Sequence, residues 1–425
     1  MTQRILAPAR LTPVYAAAAV FAVVYFALDL NKLYALRYGA DFGTFLQTIV
    51  NMMHGSSWNF GEWRQHLEVH DSWILFGLAP LIALFPRAET LIAVQVTVVA
   101  LAAIPLALFA REIGVSNRSA NLLAIAYLLT PSAQGFTYDN FSENVFVPVL
   151  AFSLALAVRR RAFWPALILT QFLMGVKEDE ILFVAWFAAA CYAFWDRRLG
   201  AAAFLLAALN VALFWGIERW LGVHPSVPAY ALSIEDLGGK LTLVALLLAP
   251  FAFAPALVGR WLLLAVPLFA EIAFAQHTPY ETSRIGTHYT APLLACAAIA
   301  AAFGIRRYPA LVRAMIPCAL IVMLLVFNDT VLRPGRWPFI VDWQAYAAAV
   351  SVRQTKTPIL LQRRDEGVWA VAAVNPLVEL KRRPDPHFVA CPGYNTNAAA
   401  FFASLGIGRW QNWHLCGGVP EEKKN

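Results

Sequence analysis

The feature that most constrains this chain is a recurrence of apolar runs close to the ~20 residues that a helix needs to cross a bilayer. They fill the first three quarters of the sequence and are rich in Ala, Leu, Val and Phe. A chain of 425 residues has room for two or three soluble domains, but 60% hydrophobic and 14% charged residues exclude that reading. The pattern predicts an all-α polytopic membrane protein with spans near 11–30, 90–110, 119–133, 144–158, 162–176, 180–195, 199–217, 241–258, 261–276, 289–304 and 310–328. Segment 73–86 is apolar but only ~14 residues long, which suits a re-entrant or juxtamembrane helix as well as a crossing.

Charge orders these spans. The formal charge of +7 is carried by short clusters between apolar runs: Arg4 and Arg10, Arg111 and Arg118, Arg159 to Arg161, Arg197 and Arg198, Arg260, then Arg306, Arg307 and Arg313. Such clusters are topology signals rather than a nucleic-acid surface. All of them can be cytoplasmic if 73–86 dips in and returns, which gives eleven crossings. The basic N-terminus, expected in the cytoplasm, runs into the first span without a small-residue cleavage motif, and that span reads as an uncleaved first helix.

After 328 the composition shifts to Pro, Asn, Gly and mixed charge, with a β-like run at 358–362. The chain therefore divides into a transmembrane domain over 1–328 and a small extracytoplasmic α/β C-terminal domain over 329–425. Cys391 and Cys416 lie in that tail, and an oxidising compartment would allow a disulfide between them. Cys191, Cys296 and Cys318 lie inside apolar segments as packing residues.

With the arginines on one side, the loops rich in Asp, Glu and His all emerge on the other: 31–71, 138–143, 177–180, 217–240 and 277–289. Positive-inside bias says little about Asp and Glu. The gathering of Asp41, Asp139, Glu143, Glu178, Asp179 and Glu180 at one surface therefore points to a shared site. Asp41 can serve as a base, a metal ligand or a stabiliser of a developing cation, and it equally fits a helix N-cap. His66 and His70 share a helical face with Glu62, but HLEVH is not the zincin HExxH, which leaves substrate binding as their stronger reading. Lys177 can hold a phosphate while Glu178 and Asp179 bind a divalent ion such as Mg²⁺ or Mn²⁺; the bland alternative is a solvated turn of mutually paired charges. Glu143 is a charge at a helix start. Arg284 and His288 suit an anionic phosphate, with Tyr289 beside them as an interfacial anchor. No Walker A, GxGxxG or GxSxG pattern supports ATP or serine-hydrolase chemistry.

The order of motifs adds a resemblance. D-F-G-x-F-x-Q (Asp41 to Gln47) precedes a His-containing stretch and LAPLIALFP, then come Gln95, FSE (141–143), KED (177–179) and H-Y-x-A-P (288–292). Over about residues 15–330 this resembles a bacterial family of predicted multi-spanning membrane proteins of unassigned function, related to the GT-C glycosyltransferases. Relatives usually carry His before the acidic residue, as in F-H-P-E, whereas Ser142 precedes Glu143 here. The resemblance implies a GT-C-like fold in the bacterial inner membrane. The implied activity transfers a sugar from a polyprenyl-phosphate carrier to a glycan, lipid or protein acceptor on the extracytoplasmic face. Asp41 matches the essential first-loop acid by position, with Glu143 as a second acid. Lys177, Arg284 and His288 would hold the lipid phosphate by location, and His66 and His70 would orient substrate. A transporter or flippase is the alternative, and it would place ionisable residues near the middle of spans.

Overall fold

A computed structural model describes residues 11–35, 37–59, 61–62, 64–221, 236–274 and 284–337, together with 347, 349–350, 353–354, 359–360, 373–374 and 416–417. The chain is mostly helical. The first helix, α1 (Thr12–Tyr34), is followed by α2 (Ala40–Met52), a two-residue ribbon of β1 (Trp58–Asn59) and β2 (Arg64–Gln65), and α3 (Ile74–Leu84). Next come α4 (Ala88–Leu101), α5 (Ala103–Glu112), α6 (Asn117–Leu129), α7 (Pro131–Tyr138), α8 (Val147–Arg159), α9 (Phe163–Met174), α10 (Asp179–Phe194) and α11 (Arg197–Leu221). After these lie α12 (Leu237–Leu248), α13 (Val266–Phe274), α14 (Ala291–Arg307) and α15 (Val312–Leu325).

Burial shows why these runs are helices with two apolar sides. On α1, Val14, Ala18, Phe21, Tyr25 and Leu28 recur at helical spacing and are buried, yet Val20 and Val23 on the other side are 62% and 71% exposed. An apolar residue turned outward has no place in water but suits lipid. At the centre, α14 is buried almost throughout, and its alanines let neighbours approach closely. Gly304 packs against the backbone of Ala254, where a Cβ would collide.

Each of the eleven expected segments is helical in its described part, and their lengths differ widely. Among the described residues four helices are long and apolar enough to cross a membrane: Thr12–Tyr34, Ala88–Glu112, Arg197–Phe214 and His288–Arg307. A pair bent by 98°, Pro309–Leu325 with Phe327–Arg336, makes a fifth if taken as one span. Breaks shorten several of the other helices. Thr130 and Pro131 divide α6 from α7, and a 3₁₀ turn at Glu143–Phe146 leads into α8.

Charge is segregated along the helices. The runs α4–α5, Glu143 through α8, α10 and His288 through α14 each begin beside acidic or His residues and end beside arginine. The arginine ends meet: Nε of Arg160 lies 2.7 Å from Glu112, Nε of Arg159 donates to the Glu112 carbonyl at 3.2 Å, and Arg111 donates to Asn121 at 2.6 Å. The 17 residues of α14 separate the two ends by about 26 Å. Both flanks of α3 lie at the acidic end, because the Asp71 amide donates to Glu178 and Glu89 accepts from Tyr34. Its 11 residues are too few to cross.

In the C-terminal region β3 (Ile359–Leu360) pairs antiparallel with β4 (Cys416–Gly417). Most of the rest of the expected α/β domain, including Cys391 and so the disulfide, lies outside the described residues. The two ends of the bundle predict opposite labelling. In a background without native cysteines, Arg160→Cys and Arg333→Cys should react with a membrane-impermeant maleimide from opposite sides of intact cells. Labelling of both from one side would refute this layout.

Candidate functional site

The acidic end brings together α1, α2, the first loop, the start of the Glu143 turn, the 177–180 turn and the entrance to α14. Asp41 sits in the first turn of α2, half-buried, where a carboxylate complements the helix dipole. It is not the N-cap; that position is Gly39, whose amide donates to Asn140 at 2.8 Å. This bond sets the start of α2 against the Tyr138–Asn140 corner. A Cβ on Gly39 would press into the Asn140 side chain.

That corner is held by buried polar contacts. Gln95 donates to the carbonyls of Phe136 and Thr137, at 3.2 and 2.5 Å, and so satisfies the end of α7. Lys32, buried near the end of α1, donates to the Tyr138 carbonyl at 2.7 Å and lies over the rings of Tyr38 and Tyr138. Asp139, Asp29 and Asp41 all act on its charge. Arg336 stacks on Tyr138 at 4.0 Å and donates from one nitrogen to the Asn328 carbonyl at 2.8 Å. Its Nε and Nη1 are buried and have no hydrogen-bond partner.

Between these groups lies a cavity of about 210 Å³, lined by Lys32, Arg284, Arg333 and Arg336 and by Asp139 and Asp329. Two more cations than carboxylates face it. Its floor is a close approach of Gly135 in α7 to Gly286, where a side chain on either residue would collide with backbone or with Asp329. Asp139 lies 3.5 Å from Nδ1 of His288. Burial pushes the Asp139 carboxyl up, but His288 and Lys32 outweigh it and hold the group below its ordinary value.

From His288 the polar contacts continue into a second cluster. The rings of His288 and Tyr289 are 4.2 Å apart, and Lys177 lies over Tyr289 at 5.6 Å. Lys177 pairs with Asp179 at 3.0 Å. Burial lowers the Lys177 ammonium, yet Asp179, Glu178 and Glu143 hold it well above the usual lysine value. Glu178 accepts from His70 at 2.8 Å and from the Asp71 amide at 3.1 Å. Burial raises Glu178, but His70 and Lys177 bring it down to about 2. Glu143 is buried within electrostatic reach of both His70 and Lys177, and Ser142 donates to it at 3.3 Å while capping the Asn144 amide. Ser142 is thus a turn cap in the place where the resembling family carries His.

His66 is fully buried, 3.0 Å from both Glu62 oxygens and edge-on to Phe45, with its ring 5.5 Å from that of His70. It braces the first loop. Among the described residues no three His, Cys, Asp or Glu side chains form a metal-holding group. Glu178 and Asp179 are engaged by His70, Asp71 and Lys177, so a cation would have to displace those partners.

The structure therefore brings Glu143, Lys177, Glu178, Asp179, His288, Tyr289 and the first-loop histidines into contact. Arg284 lines the cavity, and Asp41, which does not line it, acts on the charge of Lys32, which does. Sequence reasoning missed Lys32, Arg333 and Arg336. A lysine within an apolar first helix was a signal, since ionisable residues near membrane depth default to function. Arg333 and Arg336 were read as part of the tail.

His70 and Glu178 generate a pH prediction. Burial lowers the His70 value, but Glu178 outweighs it and raises it above 6.5. The stabilisation is then complete below 6.5 and is lost as pH rises through the folded value. Glu178 has the opposite sign, losing its contribution as pH falls from 4.5 towards 2. Melting of purified wild type should weaken above pH 6.5 by about 1 kcal/mol or less. His70→Gln should flatten that slope; an unchanged slope would count against the pairing.

Residues 32–227 and 221–348 match the model of a family described as predicted membrane protein (DUF2079). No curated protein matches the chain.

Proposed function

We propose that this chain, which belongs to the DUF2079 family of predicted membrane proteins, is a membrane glycosyltransferase of GT-C type that takes a sugar from a polyprenyl-phosphate carrier. The observation that carries the reading is the cationic cavity lined by Lys32, on whose charge Asp41 acts. A buried guanidinium with unpartnered N–H groups, joined by a lysine and two further arginines, suits a phosphate.

In this reading the acceptor hydroxyl oxygen attacks the anomeric carbon as its proton passes to Asp41. The bond from that carbon to the phosphate oxygen breaks, and the electron pair leaves with the polyprenyl phosphate. Lys32, Arg284, Arg333 and Arg336 meet the developing charge. His288 positions Asp139 at the rim, while Glu143, His70 and Lys177 form the adjoining wall, with Tyr289 beside Lys177. His66 acts through the first loop. Glu178 and Asp179 do not fit a ready Mg²⁺ or Mn²⁺ pair, and no step runs through a metal.

The topology that goes with this activity has eleven crossings of the bacterial inner membrane and a cytoplasmic N-terminus. The helix α3 is re-entrant or juxtamembrane, and the tail forms an extracytoplasmic domain. The flippase alternative has less support: Asp29 and Lys32 lie in the last turns of α1, near the acidic end, rather than at mid-span.

The test is release of polyprenyl phosphate from polyprenyl-phosphate sugars by purified protein in lipid, with and without Mg²⁺ or Mn²⁺. Asp41→Asn should lower release about a hundredfold or more, and Arg336→Gln about tenfold, with both variants inserted as wild type. Retained release in Asp41→Asn would sink the assignment. No release from any carrier would transfer the weight to flipping.

A further inference from the structure

At the arginine end lies a second, larger cavity of about 690 Å³. Its walls are apolar, with Phe183, Phe187, Trp261 and Phe303 prominent. Trp261 stacks face to face between Trp195 and Phe303, at 4.9 and 3.9 Å, and gives one wall a flat aromatic surface. Its rim carries Arg159, Arg161, Arg197, Arg198 and Arg306. The single acid lining it, Asp196, has one oxygen engaged by the amides of Arg198 and Leu199, at 3.0 and 3.1 Å, as the cap of α11.

The depth of this cavity has a scale. Along α14 it reaches from Arg306 back to Cys296, ten residues or about 15 Å. That is half of the ~30 Å hydrocarbon core, the thickness of one leaflet. A charged ring at the mouth with an apolar shaft one leaflet deep matches an amphiphile with an anionic head and a hydrocarbon tail.

Arg161 adds an independent observation. It follows the end of α8 at φ 56°, and its amide returns to the Val158 carbonyl at 3.0 Å. This is a left-handed helix-ending position where glycine is the usual residue. An arginine there is conformationally costly, and its guanidinium is placed on the rim.

We propose that this cavity binds an anionic phospholipid of the leaflet at the arginine end, with its phosphate on the arginine ring and an acyl chain along the aromatic wall. The site is separate from the cavity at Lys32 and Arg336 and does not depend on the glycosyltransferase reading. It is tested by native mass spectrometry of the detergent-purified protein, comparing retained phosphatidylglycerol with phosphatidylcholine of the same tails and with inorganic phosphate as competitor. Phosphatidylglycerol should be retained preferentially. Arg161→Gly should lower that retention about fivefold, and Arg161→Gly with Arg197→Gln further. Because glycine relieves the backbone at 161, the single variant should keep the wild-type melting temperature in lipid-free micelles. Equal retention of the two lipids, or unchanged retention in both variants, would overturn the proposal. Full displacement by inorganic phosphate alone would also overturn it, since the tail would then contribute nothing.

Discussion

A charge in the hydrocarbon of a bilayer costs roughly 2.5–3.5 kcal/mol even by the mildest scales, and the architecture of this chain follows from avoiding that cost. Where helices are long, their ionisable residues move to the ends. Because successive helices alternate in direction, the two kinds of end collect separately. Glu89, Glu143, Asp179 and His288 start the helical runs that end at or beside Arg111, Arg159, Arg197 and Arg307. One end of the bundle becomes a ring of arginines. The other becomes a mixed polar surface on which distant segments have little choice but to meet.

Much of this was legible in the sequence because it rests on two simple signals, apolar length and the position of arginine. The convergence of 62–71, 143, 177–180 and 288–289 followed from charge bookkeeping alone. The return of both flanks of 73–86 to one end did too. Other features were not legible. The breaks inside apolar runs do not show in composition: Pro131, the 3₁₀ turn at Glu143 and the left-handed pair Ala252 and Phe253 divide those runs into shorter helices. The cationic cavity was hidden for a different reason. Lys32, Arg284 and Arg336 are far apart in sequence and are joined only where Gly135 and Gly286 let two backbones touch.

The two polar clusters at the acidic end differ in how their cations are satisfied, and the difference sets the field that each presents. Lys177 is met by Asp179, and His70 by Glu178. These pairs neutralise each other, so they fix the first loop against the 177–180 turn and leave little field for a ligand. Lys32, Arg336 and Arg37 donate instead to the backbone carbonyls of Tyr138, Asn328 and Gly335. A neutral carbonyl satisfies a donor without cancelling its charge. The positive field around the cavity therefore persists, tempered by Asp139 and Asp329 alone of its lining residues. The buried N–H groups of Arg336 left without a partner carry a desolvation cost of about 1–3 kcal/mol, and more where the group is charged. An arriving anion relieves that cost. For this reason the cavity under Arg336, rather than the ion-paired turn at Lys177, is where an anionic group such as a phosphate should come to rest.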